Sequence, residues 1–144
     1  MGRIIEKIIV KNYGDVLKAD EGVIDANQIR TVEVDAIVDT GATYVCLGKK
    51  DIELLGLPFH NEVSIKTANG KATRRTFKGA EIELNGRTFV MEVMENDEDT
   101  PALIGYLLLE ALDFVVDPKT QKVIPNPAHD GKWVADLYCL TPLR

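Results

Sequence analysis

Two Asn-Gly dipeptides, Asn69-Gly70 and Asn85-Gly86, constrain this chain more than any other feature. Val63-Ser64-Ile65-Lys66-Thr67 precedes the first, and Ala72 to Phe77 follows it. Ala80-Glu81-Ile82-Glu83-Leu84 and Thr88 to Val93 flank the second. Asn-Gly accepts positive φ at both central residues of a two-residue turn, the turn whose twist matches that of the strands it joins. Consecutive antiparallel hairpins are therefore predicted, and with them a mainly β fold.

The remaining segments agree. Ile4 to Val10 reads as a strand, and a polar, Gly- and Asp-containing stretch runs from Asn12 to Asn27. Arg30 to Val38 alternates, with Val32, Val34 and Ala36 on one side, and Tyr44 to Leu47 reads as a buried strand. Lys49 to Leu55 carries Ile52, Leu54 and Leu55 near one helical face, with Gly56 as C-cap and Pro58 barring continuation. Ala102 to Gly105 is a short buried strand, and Tyr106 to Leu112 a short apolar helix. Phe114-Val115-Val116 and Lys122-Val123-Ile124 form a last hairpin, and Trp133 to Leu140 a terminal strand. The expectation is an all-β fold with one or two short helices, in one domain over residues 1–144.

Composition narrows the function. A net charge of −6 leaves no basic stripe to neutralise phosphates, so no nucleic-acid partner is expected. Lys71, Arg74, Arg75 and Lys78 form a short basic cluster that reads as a solvated hairpin face. The N-terminal apolar residues are broken by Glu6 and Lys7, and Pro101 to Leu109 is too short to span a bilayer. No membrane association is expected, and the localisation read from these features is cytoplasmic. Cys46 and Cys139 form no CxxC pair and read as reduced thiols, while His60 and His129 lack the partners of a zinc site. No metal and no cofactor are expected.

Val38-Asp39-Thr40-Gly41-Ala42-Thr43 carries the chemistry. An aspartate that leaves an apolar strand into a Thr-Gly-small turn is costly if buried without a partner, and a catalytic carboxylate at the mouth of a cleft is one reason to keep it. A plain Asx-type turn is the other reading of the same residues.

Asp39-Thr40-Gly41-Ala42, preceded by Ala36-Ile37-Val38, resembles the active-site signature of the retropepsin-like (retroviral-type) aspartic proteases. A second landmark of that family, two apolar residues and a glycine before a short helix, is matched by Leu103-Ile104-Gly105. Between the landmarks the family places a β-hairpin flap, matched by Thr67-Ala68-Asn69-Gly70-Lys71. The resemblance spans about Val32 to Val116 and implies an acid-protease barrel, half of a pepsin-type bilobal fold. It implies an aspartic endopeptidase in which two carboxylates share one proton and activate a water. One such aspartate per chain then implies a homodimer, with Asp39 from each subunit on the two-fold axis. Thr40 would bond across that axis, Gly41 would let a substrate backbone approach, and Ala42 would keep the cleft floor small.

The chain departs from many retroviral members at two places. Thr43 stands where they carry an aspartate, and Tyr106-Leu107 follows Gly105 where they carry Arg-Asn or Arg-Asp. The segment Asn12 to Asn27 and the tail beyond Pro125 have no viral counterpart. Two rival functions use the same residues. The Asp39 segment also looks like the first phosphate loop of actin-like ATPases, whose two large domains this chain is too short to supply. A catalytically silent dimeric peptide-binding module on the protease fold is the other.

Overall fold

The computed structural model describes residues 3–135. Strand β1 (Ile5–Asn12) pairs antiparallel with β2 (Thr31–Val38), and β2 runs parallel to β7 (Ala102–Ile104). Strand β3 (Val45–Leu47) pairs with β7 on one side and with β6 (Arg87–Glu95) on the other. Strand β5 (Gly70–Leu84) joins β6 and also β1, which closes the order β1-β2-β7-β3-β6-β5 into a six-stranded barrel. Strand β4 (Phe59–Thr67) pairs only with β5 and stands outside that ring as the free arm of a long hairpin. A separate hairpin follows, β8 (Phe114–Asp117) with β9 (Lys122–Pro125).

Alternation explains the barrel. Ile8 and Val10 from β1, Ile82 and Leu84 from β5, and Val45 and Leu47 from β3 are fully buried. Ile104 from β7 and Leu108 and Leu112 from helix α3 (Tyr106–Leu112) close the same core. Each such side chain contributes about 1.5–3 kcal/mol by leaving water. Helix α2 (Lys49–Leu55) ends as its sequence predicts, with Gly56 at φ 65° and its N–H bonded to the Glu53 and Ile52 carbonyls.

Three sequence expectations change. The polar stretch after Asn12 contains helix α1 (Tyr13–Asp20), capped by the Asn12 side chain, which accepts from the Asp15 N–H at 3.0 Å. Asp15 is buried against Arg30, whose Nε and Nη2 donate to it at 2.8 and 3.0 Å. That hydrogen bonding outweighs burial and lowers the Asp15 carboxyl to about 2. Secondly, Asn69-Gly70 is not the centre of its turn. Ala68 and Asn69 form the turn and Gly70, at φ 116°, already pairs with Thr67, whereas Asn85 (φ 49°) and Gly86 (φ 86°) both take positive φ as expected. Thirdly, Trp133 to Ala135 is not a strand, and residues 136–140 of that expected strand lie outside the described residues.

Candidate active site

Asp39 is the first residue beyond β2, and the parallel β2–β7 pairing places it beside the end of β7. Its N–H continues the ladder by bonding the Ile104 carbonyl at 2.9 Å. The chain then turns tightly. The Asp39 carbonyl accepts from the Ala42 N–H at 3.0 Å, and Asp39 Oδ1 accepts from the Gly41 N–H at 3.0 Å. The Asx-type turn is therefore real, and it uses one carboxylate oxygen while leaving the other without a partner among the described residues. Asp39 is exposed in the single chain, so the burial cost argued from its apolar setting does not arise.

A second aspartate loop contact comes from α3. Its first N–H groups have no intrahelical acceptors. Tyr106 N–H donates to the Ala42 carbonyl at 2.8 Å and Leu107 N–H to the Thr43 carbonyl at 3.2 Å. Gly105 makes this approach possible. A Cβ there would lie 2.7 Å from the Ala42 oxygen and 2.6 Å from the Thr43 carbonyl carbon, closer still to the Tyr44 oxygen. Tyr106 and Leu107, two of the three residues at which the chain departs from many viral sequences, thus tether the loop through their backbone N–H groups. Gly41 is under a related constraint, because a Cβ there would lie 3.3 Å from Asp39 Oδ1.

This loop floors a cleft of about 710 Å³. Asp39, Gly41, Ala42, Thr43 and Tyr44 line it from the loop, Cys46, Met94 and Leu103 from the barrel strands β3, β6 and β7, and Val63 to Thr67 from β4. Of the residues singled out from sequence, the cleft gathers Asp39, Gly41, Ala42, Thr67 and Leu103. Thr40 is exposed beside it, Ala68 to Lys71 lie beyond its wall at the hairpin tip, and Ile104 is fully buried in the core. Gly105 sits beneath the loop and shapes it from below. Sequence reasoning missed Val63, Ile65, Arg74, Met94 and Asn96 as wall residues. The alternation in Val63-Ser64-Ile65 was the one signal for them, and it does not say which face turns to a cleft.

Charges in the cleft are largely committed elsewhere. Glu95 is gripped by Arg75 at 2.8 Å, and Arg74 bonds Asp97 at 2.6 Å. Burial pushes the Cys46 thiol up to about 11, with Arg74 opposing and Asp39 adding to the rise, so it stays protonated and a poor nucleophile at neutral pH. Among the described residues no group of three or more His, Cys, Asp or Glu side chains is placed to hold a metal ion. No described helix is long and apolar enough to cross a membrane.

The hairpin whose β4 strand lines the cleft departs from regular pairing. Its two strands carry bulges at the base, between Phe59 and Asn61 and between Phe77 and Ala80, the latter containing Gly79 at φ 81°. At its tip Thr67 Oγ1 accepts from the Asn69 N–H and donates to the Gly70 carbonyl, at 3.2 and 2.8 Å.

No curated protein matches the chain. The family model described as "gag-polyprotein putative aspartyl protease" matches residues 26–111, more than half of it, from before β2 to the last turn of α3. With an Asp-Thr-Gly loop at the end of a barrel strand, tied down by a glycine-led helix, the chain belongs to this retropepsin-like aspartic protease family.

Proposed function

We propose that residues 1–144 act as one protease domain, an aspartic endopeptidase whose catalytic dyad is formed by Asp39 of two subunits. The observation that carries this is the single uncommitted carboxylate on the cleft floor: Glu95, the other carboxylate in the wall, is held by Arg75. One carboxylate cannot serve as base and acid at once. Two held at about 3 Å share a proton, because like charges so close do not both ionise.

In this reading the ionised carboxylate takes a proton from water as its oxygen attacks the scissile carbonyl carbon. The protonated carboxyl gives its proton to the carbonyl oxygen, producing a neutral gem-diol. Collapse of the diol returns a proton to the pair, delivers one to the leaving nitrogen, and breaks the C–N bond. Thr40, exposed in the single chain, is free to bond the partner loop, and Gly41 leaves room for the substrate backbone. Thr67 to Lys71, at the tip of the β4–β5 hairpin, serve as the flap that excludes water over an extended peptide.

Subunit mixing tests the reading directly. Peptide-library cleavage is measured at mildly acidic and neutral pH while Asp39→Asn protein is titrated into a fixed amount of wild type. A shared dyad predicts that equal amounts leave about a quarter of the dimers with both aspartates, so activity per wild-type chain falls. Activity indifferent to the variant refutes the shared dyad. Peptide binding with no cleavage under any condition replaces the protease with a binding module.

A further inference from the structure

A second hollow, of about 510 Å³, lies between β6 and α3. Tyr44, Phe89, Met91 and Leu107 supply its apolar wall, with Glu92 and Glu110 beside them. Phe89 and Leu107 are large apolar side chains left 41% and 37% exposed at its wall. Tyr44 also lines the base of the Asp39 cleft, so the two hollows meet across one side chain. We propose that this hollow is a distal substrate subsite: it receives an apolar side chain of the polypeptide after that chain has left the cleft past Tyr44. The proposal rests on the protease reading above.

Three observations favour a substrate strand over other occupants. The first is continuity. An extended chain advances about 3.3 Å per residue, so one lying in the cleft and emerging at Tyr44 reaches the neighbouring hollow within a few residues. The second is chemistry: the wall is apolar, and its only charged members are carboxylates. Glu92 is joined to His60 at 2.5 Å, but the Glu110 carboxylate has no partner among the described residues. The matching ligand is an apolar residue with a lysine or arginine next to it. The third is position. Glu110 and Phe89 contribute nothing to the Asp39 cleft, so selectivity there is separable from catalysis.

The test compares two peptides that share one cleaved core, the longer extended on either side by an apolar residue and a lysine. Wild-type enzyme is expected to show about tenfold higher kcat/KM on the longer peptide, through KM. Phe89→Ser and Glu110→Lys are expected to remove that advantage and leave the short peptide unchanged. Equal kcat/KM for the two peptides in wild type overturns the subsite, as does an equal loss on both peptides in the variants. If no peptide is cleaved, the protease reading fails separately, and fluorescence anisotropy with labelled peptides decides the subsite alone. Tighter binding of the longer peptide that Phe89→Ser abolishes supports it, and equal binding overturns it. A Phe89→Ser protein that sediments as a smaller species assigns the hollow to a second copy. Extended-peptide affinity that rises in the Leu140→Asp protein assigns it to the segment after Ala135. Either result overturns the proposal.

Discussion

Asp39 and Asp113 each follow the C-terminal end of a regular element, and the fold treats their carboxylates in opposite ways. Asp39 is exposed, with one backbone N–H on one oxygen. Asp113, in left-handed conformation at the end of α3, is buried and crowded with donors. Its Oδ2 meets His129 Nδ1 at 2.6 Å and the Val134 N–H at 3.1 Å, while Asn126 Nδ2 donates to Oδ1 at 3.3 Å. Burial opposes ionisation of Asp113, and these bonds overcome it and hold the carboxyl below the usual range. Around it Arg87 spans the Leu112, Asp113 and Gly131 carbonyls between the Phe114 and Trp133 rings, and Trp133 Nε1 donates to the Ala111 carbonyl. A carboxylate whose acceptor sites are filled by its own chain anchors structure, while one left nearly empty at a cleft floor is available to water and substrate.

The sharpest way to break this comparison is Asp39→Asn, which keeps shape and removes the ionisable carboxyl that the proposed dyad requires. Peptide cleavage is expected to fall about a thousandfold or more, with the thermal midpoint of unfolding unchanged. Activity retained with stability lost would exchange the roles of the two aspartates. Gly105→Ala probes the support beneath Asp39. Its methyl meets the Ala42–Tyr44 backbone, so the loop must shift, at about 1–3 kcal/mol of stability by chemical denaturation. A displacement near 1 Å is expected to reduce kcat/KM about a hundredfold.

Asp113→Ala is expected to lower the thermal midpoint by several degrees, since His129, Asn126 and the Val134 N–H lose their common acceptor. Catalysis at temperatures well below that midpoint should survive. The smallest effect is in pH dependence. Asp15 and Asp113 both have folded values below their ordinary ones, so their stabilisation is complete above the usual carboxylate range. It is lost as pH falls through the folded values, for Asp15 down to about 2. Urea unfolding between pH 6 and 2.5 should show stability declining with acid, and Asp113→Asn should flatten part of that slope. A slope untouched by the substitution would mean that the Asp113 bonds contribute nothing.

Several elements were legible because local chemistry decides them. Helices Lys49–Leu55 and Tyr106–Leu112 match their sequence-predicted bounds, each set by an apolar face and a flanking glycine. The mainly β character follows from hairpin turns and alternation, whereas the closed barrel was implied by the family resemblance. Helix Tyr13–Asp20 was missed because its polar face carries little periodicity; the Asn12 cap and the Asp15–Arg30 pair, a contact distant in sequence, hold it. The same reason separates the two Asn-Gly turns. Asn85-Gly86 closes a hairpin inside the barrel wall, while at Asn69-Gly70 the Thr67 hydroxyl draws the turn one residue toward the N-terminus.

By itself the sequence determined most of the barrel-forming strands and the Asp-Thr-Gly turn, because propensity and turn chemistry are encoded by neighbouring residues. Tertiary structure alone decided that Asp39 stands exposed over a cleft and that Asp113 is spent on the chain's own tail. It also decided that Tyr44 separates two hollows. These depend on which strands meet across the barrel, and β2 lying parallel to β7 is a pairing that no local pattern specifies.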